Sequence, residues 1–262
     1  MPSRGGCRVA RNCLFSSAPS DTADTDFATP ISDDLERSKN DLLNYCQNPD
    51  ADNIIAQGKI REVEQLGEQF GIGQGSSFSG LLNGEWELVY APEDKTRSSP
   101  FFWAFRKAFP DQSDQIFGIT DAIPDPLKVV GPAFQSIEIS GSSLVSRVKV
   151  ATLGGAATSI MTTRATISTE NVDVDELKVK VDTTKPEEST VLKKLGPFGE
   201  AIASSAPPFP SGEALERVAP GSSTVLMKTT FCDGSMRISC YNNNSDKKFV
   251  WKRTGFRGSS DI

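Results

Sequence analysis

Histidine is absent from all 262 residues. That removes the commonest general base, the commonest metal ligand and every Ser-His or Cys-His nucleophile pairing. Hydrolase, metalloenzyme and redox-metal chemistry lose weight, and binding or structural roles gain it. Long hydrophobic runs are absent too, and no stretch approaches the ~18 apolar residues of a transmembrane helix. Cysteine is sparse: Cys7, Cys13, Cys46, Cys232 and Cys240 are odd in number, widely spaced and never in a CxxC. Neither a disulfide scaffold nor a zinc knuckle is indicated, and reduced thiols are expected. An excess of positive charge is lacking. The 28 Lys and Arg against 34 Asp and Glu give a formal net charge of -6, which argues against a nucleic-acid-binding domain. No phosphate loop is present either. Gly154-Gly155 and Gly71-x-Gly73-x-Gly75 lack the GxGxxG spacing and the Walker Lys-Ser/Thr. Glu187-Glu188 and the group Asp173, Asp175, Glu176 read as solvated charge.

Residues 1–20 contain Arg4, Arg8 and Arg11, frequent serine and no acid before Asp21. This Arg-rich, Ser-rich, acid-poor composition is that of an organelle transit peptide, and no secretory h-region accompanies it. A chance-basic tail has the same composition. Composition does not separate plastid from mitochondrion. Residues 1–30 are therefore set apart as a leader, and 31–75 read as a helical segment. Ser32 is placed as an N-cap, followed by Asp33, Asp34 and Glu36 in a first turn. Leu35, Leu42, Leu43 and Cys46 recur at helical spacing until Asn48-Pro49-Asp50. A second helix starts near Asp52 or Asn53, with Ile60, Val63, Leu66 and Phe70 on one face. Gly58 is expected to interrupt it early, and Gly71, Gly73 and Gly75 to end it. Both helices are amphipathic and need a surface to pack on.

After Gly84 the period becomes two. Trp86, Leu88 and Tyr90 open a strand, and runs at 134–139, 144–150, 159–167, 177–181, 224–231, 235–241 and 247–252 follow. Eight antiparallel strands without regular helical interruption predict a closed barrel or a sandwich, an α+β chain that is mainly β. Asp233-Gly234 reads as a two-residue hairpin turn. It pairs Phe231 with Met236, Thr229 with Ile238 and Met227 with Cys240. Phe231, Met227, Met236, Ile238 and Cys240 then share one face, with Arg237, Ser239 and Tyr241 on the other. Asp233 either bonds turn amides or pairs with Arg237, turn chemistry being the simpler role.

Two long segments, 91–132 and 185–223, break the pattern, and the second carries six of the 16 prolines. The first holds Phe101, Phe102, Trp103, Phe105, Arg106, Lys107 and Phe109 between Pro100 and Pro110. A short aromatic helix with basic flanks either docks on a membrane surface or a partner, or plugs a barrel mouth as core.

Leu82, Gly84, Trp86, Leu88 and Tyr90 near the start, with Phe231, Cys232, Asp233, Met236, Arg237, Ile238, Ser239, Phe249, Val250 and Lys252 near the end, resemble the plastid lipid-associated protein family, the fibrillins. Gly84-x-Trp86 with a late Arg237 is also similar to the lipocalin signature, in which a first-strand Trp is covered by a last-strand Arg. The resemblance implies a lipocalin-like antiparallel β-barrel over 76–254 after two N-terminal helices, with a tail at 255–262. It implies a plastid (chloroplast) location, in the stroma or at thylakoids and plastoglobules. It implies non-catalytic binding of a hydrophobic molecule: prenylquinone, carotenoid, fatty acid or polar lipid. A structural coat or scaffold with nothing in the barrel is the alternative. No enzyme activity, cofactor, metal or nucleic-acid partner is expected. An isomerase or oxidoreductase acting on a bound lipid has no nucleophile–base pair to work with. Alternation nominates Leu88, Tyr90, Phe134, Ile137, Ile139, Val179, Met227 and Met236 as the barrel interior. Gly84, Trp86, Asp233 and Arg237 are the structural signature.

Overall fold

The computed structural model describes residues 29–255 apart from 49–50, 125–126, 153–154, 198–200, 202–204 and 243. The expected leader up to residue 28, Cys7, Cys13 and most of the expected tail lie outside the described residues. Eight strands close into one antiparallel barrel in which each strand pairs with its sequence neighbours and the first with the last. They are β1 (Gly84–Tyr90), β2 (Lys128–Glu138), β3 (Ser143–Thr152), β4 (Ala157–Ser168), β5 (Glu176–Glu187), β6 (Thr224–Cys232), β7 (Met236–Tyr241) and β8 (Phe249–Thr254). Closure removes the edges that an open sheet of this length would expose. The barrel and its two preceding helices are as expected.

Helices α1 (Thr29–Cys46) and α2 (Asn53–Phe70) precede the barrel. The first begins three residues before Ser32, so that residue lies inside the helix rather than capping it. The Asp52 carboxylate accepts from the Ile54 and Ile55 amides and starts α2. Gly58 does not interrupt α2, which runs through it with open space where a Cβ would stand. Gly71, at φ 66°, ends the helix in the left-handed conformation. Leu35, Leu42, Cys46, Ala56, Ile60 and Val63 then pack on Tyr90, Phe231, Met236, Ile238 and Val250 from the barrel's outside. A Cβ at either Gly67 or Gly73 would lie within 2.8 Å of the Phe231 ring, so both must be glycine for that ring to seat. A short α3 (Ser76–Ser79) leads into β1.

The β6–β7 hairpin differs from the expected register. Asp233 itself pairs with Met236, and Gly234-Ser235 is the loop. The reason is the Asp233 side chain, whose Oδ1 accepts from the Ser235 and Met236 amides at 2.7 Å and builds an Asx turn one residue later than expected. A bulge between Thr229 and Phe231 shifts the register again. Phe231 therefore pairs with Ile238, Cys232 with Arg237 and Met227 with Tyr241. The bulge sends Met227 inward and Phe231 outward, where the expected hairpin put them on one face.

The 91–132 segment forms a 3-10 turn (Lys95–Ser98), α4 (Pro100–Ala108), α5 (Ser113–Asp121) and the start of β2. The 185–223 segment carries the end of β5, α6 (Thr190–Lys194) and α7 (Ser211–Val218). A Cβ on Gly212 would stand 2.0 Å from the Val181 carbonyl oxygen, which is how closely α7 rides on β5.

Candidate functional site

The aromatic helix α4 closes one mouth of the barrel. Pro100 at its start is pre-set for the first helical turn. Upstream, the Asp94 carboxylate caps the 3-10 turn by accepting from the Thr96 amide at 2.8 Å and pairs with Lys128 of β2 at 2.6 Å. Burial pushes that carboxyl up, but the Lys128 and Thr96 hydrogen bonds outweigh it and hold it below its ordinary value. The turn is thereby pinned to the rim. Trp103 is 1% exposed. Its ring stacks on Tyr241 at 5.1 Å with 9° between planes, and its Nε1 donates to the Arg97 carbonyl at 2.8 Å. Phe101, Phe105 and Phe109 pack partly buried against the interior. Phe102 meets Phe117 of α5 edge-on at 5.8 Å.

The basic flank is not free. Arg106 forks onto both Glu93 oxygens at 2.7 and 2.6 Å and also reaches the Tyr241 hydroxyl. Lys247 adds to Glu93 at 3.2 Å. Burial raises the Glu93 carboxyl, and these two cations more than reverse it, holding it below the usual carboxylate range. Burial, helped by the Glu93 charge, pushes the Tyr241 hydroxyl up to about 12. Lys107 donates to the Gly221 and Thr224 carbonyls, both at 2.8 Å. Of the two expected placements for this helix, the core plug describes Trp103, and Arg106 serves the barrel rather than a surface.

Between α4 and strands β3–β5 lies a cavity of about 140 Å³, lined by Thr96, Ser99, Phe101, Phe102, Val148, Val150, Met161, Thr163 and Thr184. A cleft of about 280 Å³ shares Thr96, Phe101 and Phe102 with it and extends to Arg97, Phe105, Ile116, Phe117 and Lys128. Single pockets for drug-sized ligands run at ~300–1,000 Å³. The inner cavity suits a chain or a ring rather than a bulky molecule, and the cleft adjoins it at Thr96, Phe101 and Phe102. Strand alternation marks Val148, Val150, Met161 and Thr163 as one face. Nothing local says that this part of the wall meets α4, so the sequence did not single them out.

Deeper in the barrel, large side chains fill the section beside Trp86. Trp86, Trp251 and Arg237 are fully buried. The Arg237 guanidinium stands 4.6 Å from the Trp251 ring centre and 5.2 Å from that of Trp86. Its Nη2 donates to Gln135 Oε1 at 2.7 Å. Burial, with the Arg253 charge adding to it, pulls Arg237 down to about 9, which leaves it charged at neutral pH. Arg253, on the last strand, also covers the Trp86 ring at 4.2 Å and donates to the Asn83 and Gly234 carbonyls. Sequence reasoning missed Arg253. Gly84 is its counterpart, since a Cβ there would meet Arg253 Nη1 at 2.5 Å.

No family model, no curated protein and no solved structure matches the chain.

Among the nominated interior residues, Leu88, Ile137, Val179 and Met227 belong to the interior cluster, and Ile139 packs partly buried against it. Three nominations need correction. Tyr90 follows a bulge after Leu88. It therefore faces the α1–α2 layer, where its hydroxyl donates to Asn53 Oδ1 at 3.1 Å. Met236 lies in the same outer layer. Phe134 is out of phase with the interior Ala133 and Ile137, and sits in register with Glu87 and Arg147. Asp233 is turn-bound as expected, but its ion partner is Lys39 of α1 at 2.5 Å rather than Arg237.

Proposed function

We propose that this protein binds a hydrophobic small molecule without chemically changing it, and that the ligand lies under α4 in the cavity and cleft of the barrel mouth. The observation that carries this reading is the apolar cavity beneath Phe101 and Phe102, walled by Val148, Val150 and Met161. An eight-stranded barrel is just wide enough to be filled by side chains or to hold one small ligand. In this chain the section beside Trp86 is filled and the mouth under α4 is not. The Arg-rich leader and the fibrillin resemblance support a plastid setting, with the protein at thylakoid or plastoglobule surfaces and a lipid as partner.

Native mass spectrometry of the full chain after exposure to a plastid lipid extract tests this. A stoichiometric hydrophobic adduct is expected, and an unliganded protein at every extract concentration overturns the reading. The structural-scaffold alternative has its own support in the filled barrel section around Trp86, Trp251 and Arg237. It predicts no adduct and sedimentation with thylakoid or plastoglobule membranes.

A further inference from the structure

A polar belt crosses the barrel interior at the level of the cavity. Gln135, Ser146, Thr163 and Thr184 are successive cross-strand partners from β2 to β5, and all four are buried. The Thr163 and Thr184 end is satisfied: Ser99 Oγ donates to Thr163 Oγ1 at 3.0 Å, and the Ser211 hydroxyl lies 3.0 Å from that of Thr184. The other end is not. Ser146 Oγ and the Nε and Nη1 of Arg237 are buried with no hydrogen-bond partner among the described residues. Arg237 meets Trp86, Trp251 and Gln135, and its register partner on β6 is Cys232. None of these is a carboxylate. A buried guanidinium with two idle nitrogens and no counter-charge among the described residues is costly, and cation–π contacts offset only part of that cost. A carboxylate would supply the charge and accept from one of the two idle nitrogens. Thr163 belongs at once to the belt and to the cavity wall. Ser146 is its neighbour on the next strand, ~4.8 Å away.

We infer that the ligand under α4 is a long-chain carboxylic acid whose head lies at the inner end of the cavity, beside Thr163 and its neighbour Ser146, with the Arg237 guanidinium as its counter-charge, while its apolar chain runs through the cavity towards the cleft. This rests on the cavity reading above and adds a charge requirement to it. A neutral ester, hydrocarbon or quinone of equal length leaves Arg237 unpaired and binds less well.

The test is a fluorescence titration of the full chain, at neutral pH, with cis-parinaric acid and with its methyl ester. The acid is expected to bind about 10–100-fold more tightly, the range for a hydrogen bond to a charged group. Arg237→Gln brings the ratio to near one by weakening the acid alone. Ser146→Ala, which keeps the charge and removes one small group, lowers the ratio severalfold and stands in if Arg237→Gln does not fold. Equal binding of acid and ester by the wild type, or a ratio unchanged in a folded variant, overturns the inference and leaves the cavity reading standing. Binding of neither probe overturns both.

Discussion

Trp103→Ala removes the centre of the mouth plug, and its effect can be worked from the structure. The indole is almost wholly buried. A buried aromatic hides ~150–250 Å², which at ~25 cal/mol per Å² is about 4–6 kcal/mol. Large aromatic-to-Ala changes in cores cost about 3–5 kcal/mol, so two independent routes agree near 4 kcal/mol. The Arg97 carbonyl also loses its donor, adding about 1 kcal/mol. For a protein of this size each kcal/mol lowers Tm by about 2–4 °C, so Tm should fall by ~10–20 °C. Urea unfolding followed by far-UV circular dichroism measures the loss directly. Near-UV dichroism should weaken as well, because the indole is stacked on Tyr241. A cost below about 1 kcal/mol with an unchanged near-UV spectrum would refute the plug, since a surface tryptophan costs no more than that.

Three further outcomes follow from the packing. Asp233→Asn should cost about 1–3 kcal/mol at neutral pH, because it breaks the Lys39 ion pair that ties α1 to the hairpin. Burial raises the Asp233 carboxyl, but the Lys39, Ser235 and Met236 hydrogen bonds hold it below its ordinary value. Its stabilisation is therefore complete above pH ~4 and fades as pH falls through the folded value. The gap between wild type and variant in denaturation curves should narrow towards acid, and a gap independent of pH would contradict the assignment. Gly67→Ala should destabilise by about 1–3 kcal/mol, because its Cβ would meet both the Ile72 carbonyl oxygen and the Phe231 ring at 2.8 Å. Adding Phe231→Leu should recover part of that loss, which additive costs in a thermal-shift assay would rule out. Cys46 and Cys232 are buried, and burial pushes both thiols up to about 11. Alkylation with peptide mapping should label them only in denaturant, and rapid native labelling of either would contradict the packing.

The barrel was legible because its strands alternate cleanly. Trp86 and Leu88, or Leu177, Val179 and Val181, announce one buried face without help from the rest of the chain. The bulges were not legible. The one after Leu88 turns Tyr90 outward, and the one at Thr229 to Phe231 separates Met227 from Phe231. Each inserts a residue whose only cause is tertiary: the outer face at these strand ends must serve α1 and α2. The turn was misplaced by one residue because Asp233 acts through its side chain rather than as a loop residue. The candidate site was legible in part. The aromatic run from Phe101 to Phe109 stood out, as did Trp86 with Arg237. That Arg237 has no carboxylate partner among the described residues depends on what the other strands bring round the barrel. So does the meeting of Phe101 and Phe102 with Val148, Met161 and Thr163.

If a hydrophobic ligand occupies the cavity under α4, filling that cavity must displace it. Val148→Phe fills that cavity from β3, where Val148 forms part of its wall. Binding of a fluorescent long-chain lipid to the full chain, wild type against Val148→Phe, with folding checked by thermal melt, is the most direct measurement. Saturable one-to-one binding by the wild type is expected, with at least a tenfold loss, about 1.4 kcal/mol, in a variant that still melts cooperatively. Equal affinity in the two proteins, or none in the wild type, would contradict it.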